Sequence, residues 1–165
     1  MIPLHPQHLH NFDYKGRHSY LLTWCCDRRQ PHFAQADKVN LVLAQFLRAC
    51  EETNVAIDAY CFMPDHVHKL VHGISDDADA KAYINKAKQY SGFYFKNAFG
   101  EKLWQRYGHD SVLRGADESA RVVAYIIENP IRRRLVERVE QYPFTGSPTK
   151  PIEQLLQWAY GDHRS

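Results

Sequence analysis

Within Met63-Pro64-Asp65-His66-Val67-His68-Lys69-Leu70-Val71, two histidines stand two residues apart in a run rich in strand formers. Side chains alternate along a strand, so His66 and His68 point to one face and Val67 to the other. Neutral imidazole is the commonest protein ligand for metals. A pair of imidazoles leaves most of a coordination shell open. That suits a divalent metal that must receive a phosphodiester oxygen or a water, rather than one that only holds a fold together. The same spacing also arises by accident, because ten histidines among 165 residues should give roughly one such pair. His8-Leu9-His10 is such a pair, in a Pro-bearing, His-rich opening stretch with no strand pattern. Against the metal reading of His66 and His68 stands a plain one, two polar side chains on a solvated strand face.

A second group with chemical potential lies downstream. A helix from about Glu118 to Glu128 has the apolar face Val122, Val123, Ile126 and Ile127, while Arg121, Tyr125 and Asn129 are spaced by four and stack along another edge. A tyrosine presented beside an arginine and an amide, on a helix able to lie over the histidine strand, can attack phosphorus. The plainer alternatives are a boundary tyrosine with a hydrogen-bonded hydroxyl, and an Asn129 that caps a new helical segment starting at Pro130.

The elements that must position these residues follow from periodicity. Ser19 to Cys26 reads as a first strand ending at the charged run Asp27-Arg28-Arg29. From Asp37, a candidate N-cap, Val39, Val42, Leu43, Phe46, Leu47 and Cys50 recur at helical spacing. Val55 to Phe62, the turn Met63-Pro64-Asp65 and His66 to Val71 form a hairpin. Asp79 to Phe99 is a second long helix, with Gly92 inside it and Gly100 as its stop. Ser111 to Arg114 is a short strand. The order β-α-β-β-α-β-α predicts an α+β fold, a ferredoxin-like antiparallel sheet with flanking helices. Residues 1–18 read as an irregular opening, 19–147 as the main domain and 148–165 as a tail. In that tail Ile152, Leu155, Leu156 and Trp158 have the spacing of a helix packed back on the body.

Composition narrows the class. A hydrophobic content of 44% with 24% charged residues describes a globular protein. There is no basic N-terminal segment followed by an apolar run and no stretch of about 18 apolar residues, so the expectation is a cytoplasmic protein. Cys25, Cys26, Cys50 and Cys61 lack C-x-x-C spacing and read as buried free thiols. Residues 1–80 hold 7 Lys+Arg against 10 Asp+Glu, a net −3, and residues 81–165 hold 14 against 9, a net +5. A basic half beside a metal strand suggests an anionic polymer as partner. In the second helix Lys81, Lys86, Lys88 and Lys96 interleave with Tyr83, Tyr90, Phe93 and Tyr94, a mixture that can contact phosphates and stack unpaired bases. An aromatic stripe on a helix is, however, usually core.

Taken together, MPDHVHKLV, LWQRYGHDSVLR and AYIIENPIRRRLVERVEQYPFTGS, spread in this order over roughly Ser19 to Ser147, resemble the HUH-type single-strand tyrosine (Y1) transposases, nearest their REP-associated branch. The resemblance implies an RRM-like antiparallel sheet and a Mg²⁺- or Mn²⁺-dependent single-stranded DNA endonuclease and strand-transferase. Its substrates would be imperfect palindromes folded as hairpins, cut through a 5′-phosphotyrosine without a nucleotide cofactor. It places the metal on His66, His68 and Asn129, and the nucleophile on Tyr125. Lys81, Lys86, Lys88, Arg106, Arg114, Arg121, Arg132 and Arg133 are the candidate DNA contacts. Many relatives carry a histidine where this chain has Ser111, with His109 two positions earlier. The REP-associated branch implies a monomer using one tyrosine, whereas mobile relatives act as dimers. Two competing readings are a domesticated, non-catalytic hairpin-binding protein and an RRM-like RNA-binding module, the latter wanting stacking aromatics where this chain has histidines.

Overall fold

The computed structural model describes residues 12–113 and 115–161; His8, His10 and Arg114 lie outside them. The chain runs β1 (Ser19–Cys25), α1 (Ala36–Thr53), β2 (Val55–Met63), β3 (His66–Gly73), α2 (Ala80–Phe99), β4 (His109–Leu113), α3 (Ala116–Arg132), β5 (Thr145–Gly146) and α4 (Ile152–Tyr160). The sheet order is β4-β1-β3-β2-β5 and every neighbouring pair is antiparallel. The first four strands reproduce the predicted ferredoxin-like arrangement; β5, only two residues long, adds an edge that no hydrophobic alternation announces.

Local chemistry sets the boundaries. Asp79 caps α2 by accepting from the Ala82 N–H at 2.9 Å, and Gly100, at φ 75°, ends it in the left-handed conformation. Asn54 closes α1 in the same way at φ 56°. Asp37, predicted as the N-cap of α1, instead lies inside its first turn, where its charge still favours the helix start; Gln35 holds the cap position. β4 begins at His109, two residues before the predicted Ser111. Pro130 does not start a new segment. It sits inside α3, two residues from its end, where the missing N–H leaves a single carbonyl, that of Ile126, without its helical partner. The helix ends at Arg132 with Arg133 as its C-cap, and Arg134, at φ 60°, turns the chain away.

Two cores flank the sheet. On one face Tyr20, Leu22, Trp24, Val67 and Val71 pack under α1 and α2 with Phe46, Tyr83 and Phe95. On the other, Leu21, Leu70, Cys61, Met63 and Leu113 pack under α3 and α4 with Val122, Val123, Ile126, Ile127 and Leu155. A bulge between Ile57 and Ala59 makes this division work. Val55 and Ile57 belong to the first face, whereas Ala59, Cys61 and Met63, of the same parity, belong to the second. The extra residue, Asp58, resets which side the strand presents and brings Cys61 opposite His68 and Met63 opposite His66. Cys61, Cys26 and Cys50 are buried free thiols, but Cys25 is only half-buried. Among the described residues no helix is long and apolar enough to cross a membrane.

Candidate active site

Strand β3 turns His66 and His68 toward α3, and both are buried, 5% and 3% exposed, not spread on a solvated face. Their rings stand 4.8 Å apart at 83°. Each Nδ1 is already engaged. The His66 Nδ1–H donates to Asp65 Oδ1 at 2.7 Å, and His68 Nδ1 lies 2.8 Å from the Thr23 hydroxyl on the neighbouring strand β1. A carboxylate can only accept, so the neutral His66 ring keeps its lone pair on Nε2; the hydroxyl can accept from His68 in the same tautomer. This is the arrangement in which outer partners orient metal-ligating histidines.

Asp65 is itself held. Arg29 donates from Nε to Asp65 Oδ2 at 2.9 Å and from Nη1 to Cys25 Sγ at 3.1 Å. Arg28 and Arg29 both adopt φ 54°, two consecutive non-glycine residues in the left-handed region, a costly geometry that places this turn against the histidine strand. Burial pushes the Asp65 carboxyl up, but hydrogen bonds from His66 and Arg29 outweigh it and leave the group below its ordinary value.

The histidines are poised neutral. Burial lowers His66 despite the opposing pull of Asp65. Burial, followed by His66 and the Arg132 and Arg133 guanidiniums, takes His68 from 6.5 down to about 3. Folding therefore favours the unprotonated ring. That contribution is complete above about 6.5 and is lost as pH falls through about 3, because the unfolded chain takes up the proton first. Without metal, stability should fall across this window by up to about 1.4 kcal/mol per pH unit for His68, and His66, also lowered, adds a loss in the same direction. Urea unfolding at stepped pH reads the slope; a flat profile there contradicts a neutral buried pair.

Helix α3 packs over β2 and β3 and brings the tyrosine to the histidines, with the Tyr125 ring 5.3 Å from that of His68. The edge Arg121, Tyr125, Asn129 runs from exposed through half-buried to buried, so the helix descends into the sheet toward its C-terminus. Asn129 is 6% exposed and its amide nitrogen has no partner among the described residues. It caps nothing; its carboxamide is a buried polar group whose hydrogen-bonding capacity the fold leaves unfilled. Arg132 donates from Nη2 to the Tyr125 carbonyl at 2.7 Å and lies 4.8 Å from the centre of the Tyr125 ring.

A family model described as Transposase IS200 like matches residues 14–129, a span that contains both histidines, the tyrosine and the asparagine. The chain belongs to the IS200-like transposases. A Haemophilus influenzae protein provisionally named REP-associated tyrosine transposase is 25% identical over 129 residues, covering 67% of this chain and 69% of its own. Among solved structures, a REP-associated tyrosine transposase bound to a REP hairpin superposes with a TM-score of 0.70 at 20% identity, covering 84% of this chain and 81% of that one. A protein from Deinococcus radiodurans provisionally assigned as a transposase gives a TM-score of 0.51 at 19% identity over 73% and 96% of the two chains. Both carry the α+β fold.

In this transposase the predicted basic contacts separate. Arg132 and Arg133 lie close enough to the histidine pair to lower His68. Arg121 instead lines a shallow recess between α3 and α4 with Asp117, Ala120, Ala124 and Ala159. Lys81, Lys86 and Lys88 are on α2, behind the opposite face of the sheet. Lys86 is 3.5 Å from Glu52 and Lys88 lies over the Trp24 ring at 5.1 Å. Arg106 packs over Tyr107 at 5.3 Å in the loop before β4, and Arg114 lies outside the described residues. Sequence reasoning missed Thr23, Arg29 and the role of Asp65 beside the histidines; only the adjacency of Asp65 to His66 was available as a signal.

Proposed function

We propose that this transposase cleaves and rejoins single-stranded DNA beside hairpin-forming palindromes through a covalent bond between Tyr125 and a 5′-phosphate. One observation carries the reading. A half-buried tyrosine faces a buried, neutral, pre-oriented histidine pair, with the buried Asn129 side chain one helical turn away. The relative solved with a REP hairpin supports hairpin DNA as the substrate class.

The donor set fits a divalent cation. Asn129, buried one helical turn beyond Tyr125, would supply the third donor beside His66 and His68 through its amide oxygen. Two nitrogens and an amide oxygen accept Mg²⁺ and hold Mn²⁺ more tightly. When bound there, the ion supplies Lewis-acid polarisation of a nonbridging phosphate oxygen. The chain's own residues do the rest. Asp65 and Thr23 fix the imidazoles, α3 aims the phenol, and Arg132 and Arg133 give positive charge for the phosphate backbone. The Tyr125 oxygen–phosphorus bond forms as the phosphorus–O3′ bond breaks; the phenolic proton leaves to solvent and the 3′-oxygen takes one up. Phosphodiester energy is conserved in the phosphotyrosine, so the free 3′-hydroxyl, or another, can reverse the step.

The test is incubation with Mn²⁺ and labelled hairpins from repeats flanking the gene, followed by denaturing electrophoresis. A protein-linked DNA product supports the reading. Tight hairpin binding without it, across metals and flanks, replaces it with a non-catalytic hairpin binder, and preference for single-stranded RNA replaces both. The Asp65 contact gives an independent check. Asp65→Ala should weaken Mn²⁺ binding about 10–100-fold by calorimetry, and an unchanged affinity would mean that His66 is not a ligand.

A further inference from the structure

We infer that His109 is a further catalytic residue of this site, donating a hydrogen bond from Nε2 to the DNA strand on the side of the scissile phosphate away from Tyr125. The inference rests on the transesterification reading above. Strand β4 pairs with β1 so that His109 lies opposite Thr23, and Thr23 in turn lies opposite His68. Directly opposed residues of antiparallel strands share a face, so His109, Thr23 and His68 form one row across the sheet. The alternation confirms the side. Asp110, next in sequence, receives the Tyr14 hydroxyl at 2.8 Å, and Tyr14 belongs to the core on the far face, whereas Leu113, of the same parity as His109, packs with α3 and α4.

The position is fixed from behind. A Cβ on Gly108 would come within 2.5 Å of Trp24 Cδ1, so the strand can start here only because residue 108 has no side chain. With adjacent strands about 4.8 Å apart, the His109 backbone lies about 10 Å from that of His68. That gap suits two side chains reaching toward one phosphodiester from either side.

Chemistry gives this side a task. An in-line displacement puts the leaving oxygen opposite the nucleophile. Tyr125 approaches over β2 and β3, so the departing 3′-oxygen points toward β1 and β4, where His109 stands. Its Nδ1 is buried and has no partner among the described residues. With Nδ1 shut in, Nε2 at the other end of the ring is the nitrogen left to donate to the strand. The donor acts without giving up its proton.

The test compares wild type, His109→Ala and His109→Gln for the rate of covalent product at saturating hairpin across pH, with Mn²⁺ and hairpin affinities measured alongside and Tyr125→Phe as the blank. His109→Ala should slow cleavage about 100-fold, as loss of one preorganised donor does, with Mn²⁺ affinity unchanged. His109→Gln, which keeps an N–H at similar reach, should recover most of the rate with the wild-type pH profile. Wild-type cleavage by His109→Ala overturns the inference alone. So does a loss accounted for by weaker Mn²⁺ binding, or a His109→Gln variant as slow as the alanine variant. Absence of covalent product from wild type overturns the transesterification reading and this inference together.

Discussion

Tyr125→Phe should abolish the protein-linked DNA product while leaving hairpin affinity and thermal stability close to wild type. The substitution removes one oxygen. The ring remains to pack 5.3 Å from His68 and beneath the Arg132 guanidinium, and Phe has a similar volume, so the half-buried position should tolerate it. Loss of the nucleophile itself is worth at least about four orders of magnitude, on the scale seen when other covalent enzymes lose theirs. Ten tyrosines compete for this role in the sequence, and the fold dismisses several on geometry. Tyr83 is buried on the far face bonded to Lys69, Tyr90 donates to Glu52, Tyr14 donates to Asp110, and Tyr142 donates to the Phe62 carbonyl. Each of these hydroxyls is committed to a partner other than the histidine pair. Full cleavage by Tyr125→Phe would move the nucleophile elsewhere.

The parts of the fold legible in the sequence were those written in local pattern. Strand alternation and turn chemistry around Met63-Pro64-Asp65 gave the hairpin, and helical spacing gave the two long helices packed on one face. That α3 would lie over the histidines was readable as a possibility from its apolar stripe, and the structure places it there. What stayed hidden depends on register between distant segments. The Asp58 bulge, which swaps the faces of β2, leaves no mark on the alternation of Val55 to Met63. That the basic stretch of α2 lies on the sheet face away from the histidines was equally hidden, because composition carries no information about which side of the sheet a helix takes. Asn129-Pro130 resembled a helix start because a proline at a first turn and a proline near a last turn look alike in one dimension. Thr23 joins the site only through strand pairing, and its identity alone predicts nothing.

Lys69 is the sharpest case of that limit, and it carries the largest expected change in stability. It follows His68, so it points into the opposite core, where it is fully buried. Its Nζ lies 3.5 Å from the centre of the Trp24 ring and 3.4 Å from that of Phe46, and it donates to the Tyr83 hydroxyl at 2.8 Å. Burial drives the ammonium well below its ordinary range. The ring faces oppose that shift, at about 2 kcal/mol per desolvated contact, and the charged hydrogen bond adds about 1.5–3 kcal/mol. The desolvation penalty for an ammonium is of comparable size, several kcal/mol. The lowered value has desolvation outweighing those contacts, and an apolar chain of the same length escapes the penalty while keeping the packing. Lys69→Met should therefore stabilise the fold by about 1–4 kcal/mol, raising the unfolding midpoint by roughly 2–4 °C per kcal/mol at this size. The Tyr83 hydroxyl, which also contacts Cys50, is not left unpaired by the change. The sign also fixes the pH dependence. A lysine whose folded value is lowered contributes stability that is fully present only above its unfolded value of 10.5 and is lost as pH falls through the folded one. The gain from Lys69→Met should accordingly be larger at neutral pH than near pH 10.5. A midpoint that drops on substitution would instead mean that the ring cage holds the charged ammonium at a net gain, and that the core on this side of the sheet is organised around it.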